Sequence, residues 1–437
     1  MITEPRTLPG FMELLPSEQI LFEQMKQTIE KTYQKFGFLP LDTPILELSE
    51  VLLAKAGGET EKQIYRFTKG DTDISMRFDL TVPLAKYVAK NYGNLSFPFR
   101  RYQIGKVYRG EKTQKGRFRE FYQCDIDIIG DGELGIVNDA EIPSVIYNLI
   151  SDLGFSDFTI CINNRKILNG LFREVNQEQN AVDIMRTIDK LAKIGKEKVV
   201  EELKEIGVDE QAITRILTFI EIEGTTDEKI EKLEKLCFSD EMFKQGLEEL
   251  KQVVKYIRIF GVPDTHFKID LTIARGLDYY TGTVYETFLN DYRELGSVCS
   301  GGRYENLAEY YTDKKLPGVG ISIGLTRLFY KLNELQLIKA EKYSMADILI
   351  IPMTEDMKES IELASDLRKE GINTEVYLND KKLKAKLKYA DKLKIPYVTV
   401  IGEDEVNSKT VKIKNMNTGE EISTELNAQK ICEVIKK

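Results

Sequence analysis

Phe99-Arg-Arg-Tyr-Gln-Ile-Gly-Lys-Val-Tyr-Arg-Gly-Glu-Lys-Thr-Gln-Lys-Gly-Arg-Phe-Arg-Glu-Phe-Tyr-Gln-Cys-Asp-Ile-Asp127 holds five arginines and three lysines between residues 99 and 120. It reads as a long β-hairpin over 97–130, with strand-like runs on either side of a basic loop. Side chains alternate across a strand, so Phe121, Gln123, Asp125 and Asp127 share one face of the return strand. Tyr122, Cys124, Ile126 and Ile128 share the other. An arginine-rich loop beside an aromatic ring and carboxylates can fork a phosphate, stack a base and hold an amine. The plainer alternative is a solvated basic loop on an antiparallel sheet.

Upstream, apolar residues from Ser17 to Tyr33 recur at helical spacing, with Ser17 as the expected N-cap. The segment 36–47 carries Pro40 and Pro44, which suit an edge strand or an interface. Two short β-rich runs, 64–68 and 74–80, flank 69–73 and predict a hairpin, followed by a helix with Pro83 in its first turn. Downstream, 165–258 turns Glu/Lys-rich at helical spacing and reads as a helical insertion. Three further segments carry chemistry. Ala274-Arg-Gly-Leu-Asp-Tyr-Tyr-Thr-Gly-Thr-Val-Tyr-Glu286 concentrates polar tips on a strand-like run, as a lined pocket would. Ser300-Gly-Gly-Arg-Tyr304 supplies backbone that a ligand can approach closely, and by itself reads as a turn. Gly318–Asn333 reads as a strand entering a helix with Arg327 inside it, and it lacks the lysine of a P-loop and the spacing of a dinucleotide fingerprint. From 347 to 401 strands alternate with helices, the pattern of a separate α/β domain with largely parallel pairing.

Composition narrows the classes. The chain has 437 residues and a net charge of -9, so it carries no overall basic field for nucleic acid or membranes, and any RNA contact must be local. One such patch is Asp380–Lys394, with seven lysines and two aspartates. It reads either as a solvated helix face or as a phosphate contact. Five scattered cysteines without CxxC spacing indicate neither a disulfide framework nor a zinc site, in keeping with a reducing cytoplasm. His266 is the sole histidine, which excludes His-based metal clusters and reads as structural. The N-terminal residues carry charge and proline where a signal peptide would be apolar, and no run is long enough to span a membrane.

Taken in order, the four segments resemble class II aminoacyl-tRNA synthetases, specifically the histidyl-tRNA synthetase family, over essentially the whole length. Arg-Gly-Leu-Asp-Tyr-Tyr at 275–280 and Ser-Gly-Gly-Arg-Tyr at 300–304 resemble its two histidine-specific signatures. Met76-Arg-Phe-Asp-Leu-Thr-Val-Pro83 resembles the eukaryote-like branch, the commoner bacterial branch having a Pro-Glu-Gly-Thr version. The resemblance implies an α+β protein, with a six-stranded antiparallel catalytic sheet flanked by helices. It would be divided into 1–164, the first catalytic part with motifs 1 (36–47) and 2 (99–130); 165–258, a helical insertion; 259–335, the second catalytic part with motif 3 (318–330); and 345–437, an anticodon-binding α/β domain.

It further implies ATP-dependent ligation of L-histidine to histidine tRNA through a histidyl-adenylate, by a cytoplasmic homodimer using ATP and Mg2+ without zinc. Arg109 and Arg275 would hold the α-phosphate as the catalytic pair, and Arg117 and Arg327 the outer phosphates. Glu111 would contact the adenine and Phe121 stack beneath it. Asp79, Thr81 and Gln123 would take the ammonium of histidine, Asp127, Tyr280 and Tyr304 would read its imidazole, and Leu80 and Tyr279 would complete the pocket. Asp79 and Asp127 replace the glutamates of the commoner bacterial branch. The alternative is a non-catalytic regulatory subunit of a histidine-biosynthetic phosphoribosyltransferase, which is disfavoured because such paralogues typically lack the anticodon domain and have eroded signatures. A ligase for another carrier and another class II specificity are weaker rivals.

Overall fold

The computed structural model describes residues 2–54, 59–112, 116–273, 280–305 and 308–436. It divides into two compact units, residues 1–12 with 25–335 and residues 13–24 with 336–437. No helix among the described residues is long and apolar enough to cross a membrane.

The strands in chain order are β1 Leu39–Pro40, β2 Leu46–Leu48, β3 Arg66–Lys69, β4 Thr72–Met76, β5 Phe99–Tyr108, β6 Glu120–Ile129, β7 Phe158–Asn164, β8 Phe267–Ile269, β9 Tyr280–Leu289, β10 Cys299–Tyr304, β11 Gly318–Gly324, β12 Ile348–Pro352, β13 Thr374–Val376, β14 Tyr397–Ile401, β15 Thr410–Asn415 and β16 Glu421–Glu425. Among the described residues the large sheet of the first unit runs β1-β5-β6-β11-β10-β9-β7-β8. From β5 to β7 every neighbour is antiparallel, which gives the six expected strands. The short strands β1 and β8 add to its two edges in parallel. Pro40 ends β1 at the sheet edge, where its missing N–H costs no ladder bond. A separate three-stranded sheet, β2-β4-β3, contains the short hairpin, with its turn tightened to Gly70-Asp71.

One face of the large sheet is sealed by apolar side chains. Cys124, Ile126 and Ile128 of β6 are buried, as the alternation predicts, and the Tyr33 hydroxyl donates to the Cys124 carbonyl oxygen at 3.0 Å. Tyr33 belongs to the helix Pro16–Lys35, which corrects the expected cap: Pro16 opens the helix and Ser17 lies inside it. Between β7 and β8 the chain is helical, with segments from Arg165–Glu174 to Glu241–Ile259. His266 is structural as expected: its Nε2 lies 3.0 Å from the Ser156 carbonyl oxygen and its ring packs edge-on against Phe158.

In the second unit β12 pairs in parallel with β13 and β14, and β15 and β16 extend the sheet antiparallel. Helices Lys358–Lys369, Leu383–Lys392 and Ala428–Ile435 accompany this sheet. One lysine of the basic patch is structural, because Lys386 is buried and its Nζ donates to the Pro352 carbonyl oxygen at 2.8 Å.

Candidate functional site

Register explains how residues far apart in sequence meet. Gln103, Asp125, Ser322, Ser300 and Glu286 are Cα partners across β5, β6, β11, β10 and β9. Two residues along, Arg101, Asp127, Gly320 and Gly302 form the adjoining row. Period two turns both rows to one face. The glycines keep that face open: a methyl on Gly320 would collide with Asp127 Oδ1, and one on Gly302 would stand 2.9 Å from the Tyr280 ring. This close packing makes 299–304 a strand where its composition reads as a turn.

Above these rows lies a cavity of about 490 Å³. Of the expected residues, Asp79, Thr81, Arg109, Gln123, Asp127, Tyr280, Tyr304 and Arg327 line it. Glu111, Arg117, Phe121 and Leu80 are not in its wall. Leu80 is fully buried in the core, just before the helix Thr81–Asn91. Phe121 carries the Arg109 guanidinium on its ring face, 5.2 Å from the centroid, and Glu111 pairs with Arg117 at 3.5 Å. Arg275 and Tyr279 lie outside the described residues.

Three carboxylates crowd the floor. Asp79 Oδ1 accepts the Val82 N–H at 3.0 Å, capping the helix that follows. Asp127 is held from both sides, by the Tyr304 hydroxyl at 2.9 Å on Oδ1 and by Arg101 Nη2 at 2.5 Å from Oδ2. Ser322 stands opposite Asp125 in register, and its hydroxyl oxygen accepts from Gln123 Nε2 at 2.9 Å. Burial pushes Asp125 up to about 7 and Asp127 up to about 6, against the pull of Arg101 on each. Asp79 is raised by the same desolvation, opposed by its N–H bond to Val82 and by Arg109. Arg101, fully buried, thus serves three buried acids, a charge balance that a cationic ligand would complete.

One side of the cavity is basic. Arg109 is fixed by its Nε–H to the Phe78 carbonyl oxygen at 3.0 Å. Arg327 donates to the Leu295 carbonyl oxygen at 2.9 Å, and Lys331, one turn further on the helix Leu325–Glu334, also lines the cavity. Behind Tyr304, Arg303 pairs with buried Asp139 at 2.7 Å. Asp139 also accepts the Thr283 hydroxyl at 2.7 Å, tying β9 and β10 to the helix Val137–Asp152.

Sequence reasoning missed Arg101, Ser322, Glu286 and Lys331 as cavity or floor residues. Arg101 sits within the 97–130 hairpin, and the missing signal is the register that sets it opposite Asp127. Asp125 stands on the polar face that alternation predicts, although the resemblance attaches no role to it.

Six consecutive antiparallel strands with a polar cavity on one face, acidic on its floor and arginine-bearing at its side, define the catalytic fold of class II aminoacyl-tRNA synthetases. Residues 10–328 match the family model described as histidyl-tRNA synthetase, and residues 347–437 match an anticodon binding domain. The chain is 60% identical over 426 residues to the histidine–tRNA ligase of Clostridium tetani, covering 97% of each. It is 51% identical over 424 residues to that of Finegoldia magna, covering 97% of this chain and 98% of the relative. The crystal structure of histidyl-tRNA synthetase from Nostoc sp. PCC 7120 superposes with a TM-score of 0.91 at 38% identity, covering 100% of this chain and 99% of that one. The chain belongs to the histidyl-tRNA synthetase family. The regulatory-subunit alternative is not favoured, since the identity extends through both the synthetase and the anticodon-binding regions.

Proposed function

We propose that the cavity binds histidine over the Asp79–Gln123–Asp127 floor and ATP along the arginine side, and that adenylate formation occurs where the two meet. As a histidine–tRNA ligase, the chain joins histidine to its tRNA in two steps. A histidine carboxylate oxygen attacks the α-phosphorus of ATP and pyrophosphate leaves. The terminal 3′-hydroxyl of the tRNA then attacks the activated carbonyl and AMP leaves. Neither step needs a side-chain nucleophile, and both are served by fixed charge and orientation. In this reading Arg109 and Arg275 hold the α-phosphate, Arg327 and Arg117 the outer phosphates of ATP, which enters as its magnesium complex, and Phe121 and Glu111 the adenine. Asp79, Thr81 and Gln123 receive the ammonium, while Asp127, Tyr280 and Tyr304 face the imidazole.

The observation that carries this is the triad Tyr304–Asp127–Arg101. It fixes a buried acceptor beside two tyrosines, the kind of partner an imidazole N–H requires. The exposed Leu39, Leu46 and Leu48 of the motif 1 region support a homodimer, and the lysines of 380–394 support contact with the anticodon arm. A cytoplasmic location accords with the family.

Replacing Asp127 by Asn keeps the shape and removes the charge. The KM for histidine in pyrophosphate exchange should rise by about 10- to 100-fold, with the KM for ATP unchanged. An equal rise in both would remove Asp127 from the imidazole end.

A further inference from the structure

We propose that Asp125 is a further amino-acid-binding residue, its Oδ1 accepting a hydrogen bond from the α-ammonium of histidine. The inference rests on the assignment of Asp79 and Gln123 to the amino end of the substrate. Asp125 is 2% exposed and lies in the cavity wall, and its Oδ1 has no hydrogen-bond partner. A buried acceptor without a donor is costly, and a carboxylate more so than a neutral group. Asp127 differs in this respect, because each of its oxygens already faces a donor.

Ser322 orients the pair. Ser322, the Cα partner of Asp125 across β6 and β11, accepts from Gln123 Nε2 at 2.9 Å, so its own hydroxyl proton can turn to the Asp125 carboxylate, which only accepts. The amide of Gln123 is thereby fixed with its Oε1 as the remaining acceptor, and that atom too is buried without a partner. Gln123 and Asp125 stand on one face of β6, rooted about 7 Å apart. An ammonium nitrogen at about 2.9 Å from each oxygen can bridge side chains so spaced. Its third N–H then falls between Asp79 and Thr81, which share it. Burial raises Asp125 in the empty site, with Arg101 as the opposing cation and Asp127 and Asp79 as like charges adding to the rise. An ammonium would supply the counter-charge that this floor lacks.

The test compares wild type with Asp125→Asn, measuring binding of histidine, of histidinol and of imidazolepropionate, which lacks the ammonium, together with the KM for ATP. Histidine and histidinol should weaken by about 10- to 100-fold. Imidazolepropionate and ATP should not change. Equal weakening of all three imidazole ligands, or of none, overturns the proposal. Ser322→Ala, which keeps the carboxylate and removes its anchor, should weaken the same two ligands by a smaller factor, and it decides the matter if Asp125→Asn does not fold. Failure of the wild-type protein to bind histidine would instead overturn the underlying assignment of the site.

Discussion

Replacement of Arg109 by glutamine is expected to lower kcat for histidine-dependent pyrophosphate exchange by about 100- to 1,000-fold, the cost of removing one preorganised donor from a developing anion. Histidine affinity should be largely kept. The guanidinium is held in place before any ligand arrives, by its Nε–H bond to the Phe78 carbonyl oxygen and by the Phe121 ring beneath it. In the proposed role its terminal nitrogens would meet the phosphate already ordered. Glutamine can reproduce a hydrogen bond but neither the charge nor the fork. Single-turnover adenylate formation beside a direct histidine titration would read the two effects separately. A loss confined to histidine affinity, with kcat intact, would move Arg109 out of the phosphate site.

The second large effect falls on stability. Arg101→Met should destabilise the first unit by about 3–5 kcal/mol, because it strands Asp127, and the field that Arg101 supplies to Asp79 and Asp125, in a buried environment. The pH dependence carries a definite sign. Asp125 at about 7 and Asp127 at about 6 lie above the ordinary carboxylate value in the folded protein. Between that ordinary value and about 7, the folded state binds more protons than the unfolded one, so stability falls as pH rises. Losing Arg101 raises both groups further. Denaturant melts of the variant should therefore recover part of the lost stability as pH falls from about 8 to about 5. A variant that is as stable as wild type, or that weakens on acidification, would show that Arg101 does not balance these acids.

Much of this site was legible from residue types because its strands obey period two. Alternation along 121–128 assigned the polar and apolar faces of β6 correctly, and the run 318–333 resolved into a strand and a helix as expected. Arg101 was not legible as the partner of Asp127, because that pairing depends on the register between β5 and β6, which are separated by eleven residues in sequence. Composition misread β10, whose glycines reflect the tight packing of three strands rather than a turn. β15 and β16 escaped notice although only β16 is an edge strand, β15 lying between β14 and β16. In β15 only Val411 and Ile413 are buried and β16 has no buried residue, so few apolar side chains mark either strand. Lys386 shows the same limit from the other side: a lysine within a basic run looks solvated until the fold sets a carbonyl oxygen within reach.

Pyrophosphate exchange into ATP with each of the twenty amino acids in turn, followed by charging of total tRNA, reads activation, amino-acid choice and transfer on one protein. The buried acceptors and tyrosines of the floor require a ligand that satisfies them, and such a site rejects ligands that leave them unpaired by about 10⁴ or more. Exchange should therefore respond to histidine alone, and histidine should be transferred to its tRNA. Histidine binding without exchange, or exchange driven equally by a second amino acid, would mean that this site is not built to activate histidine.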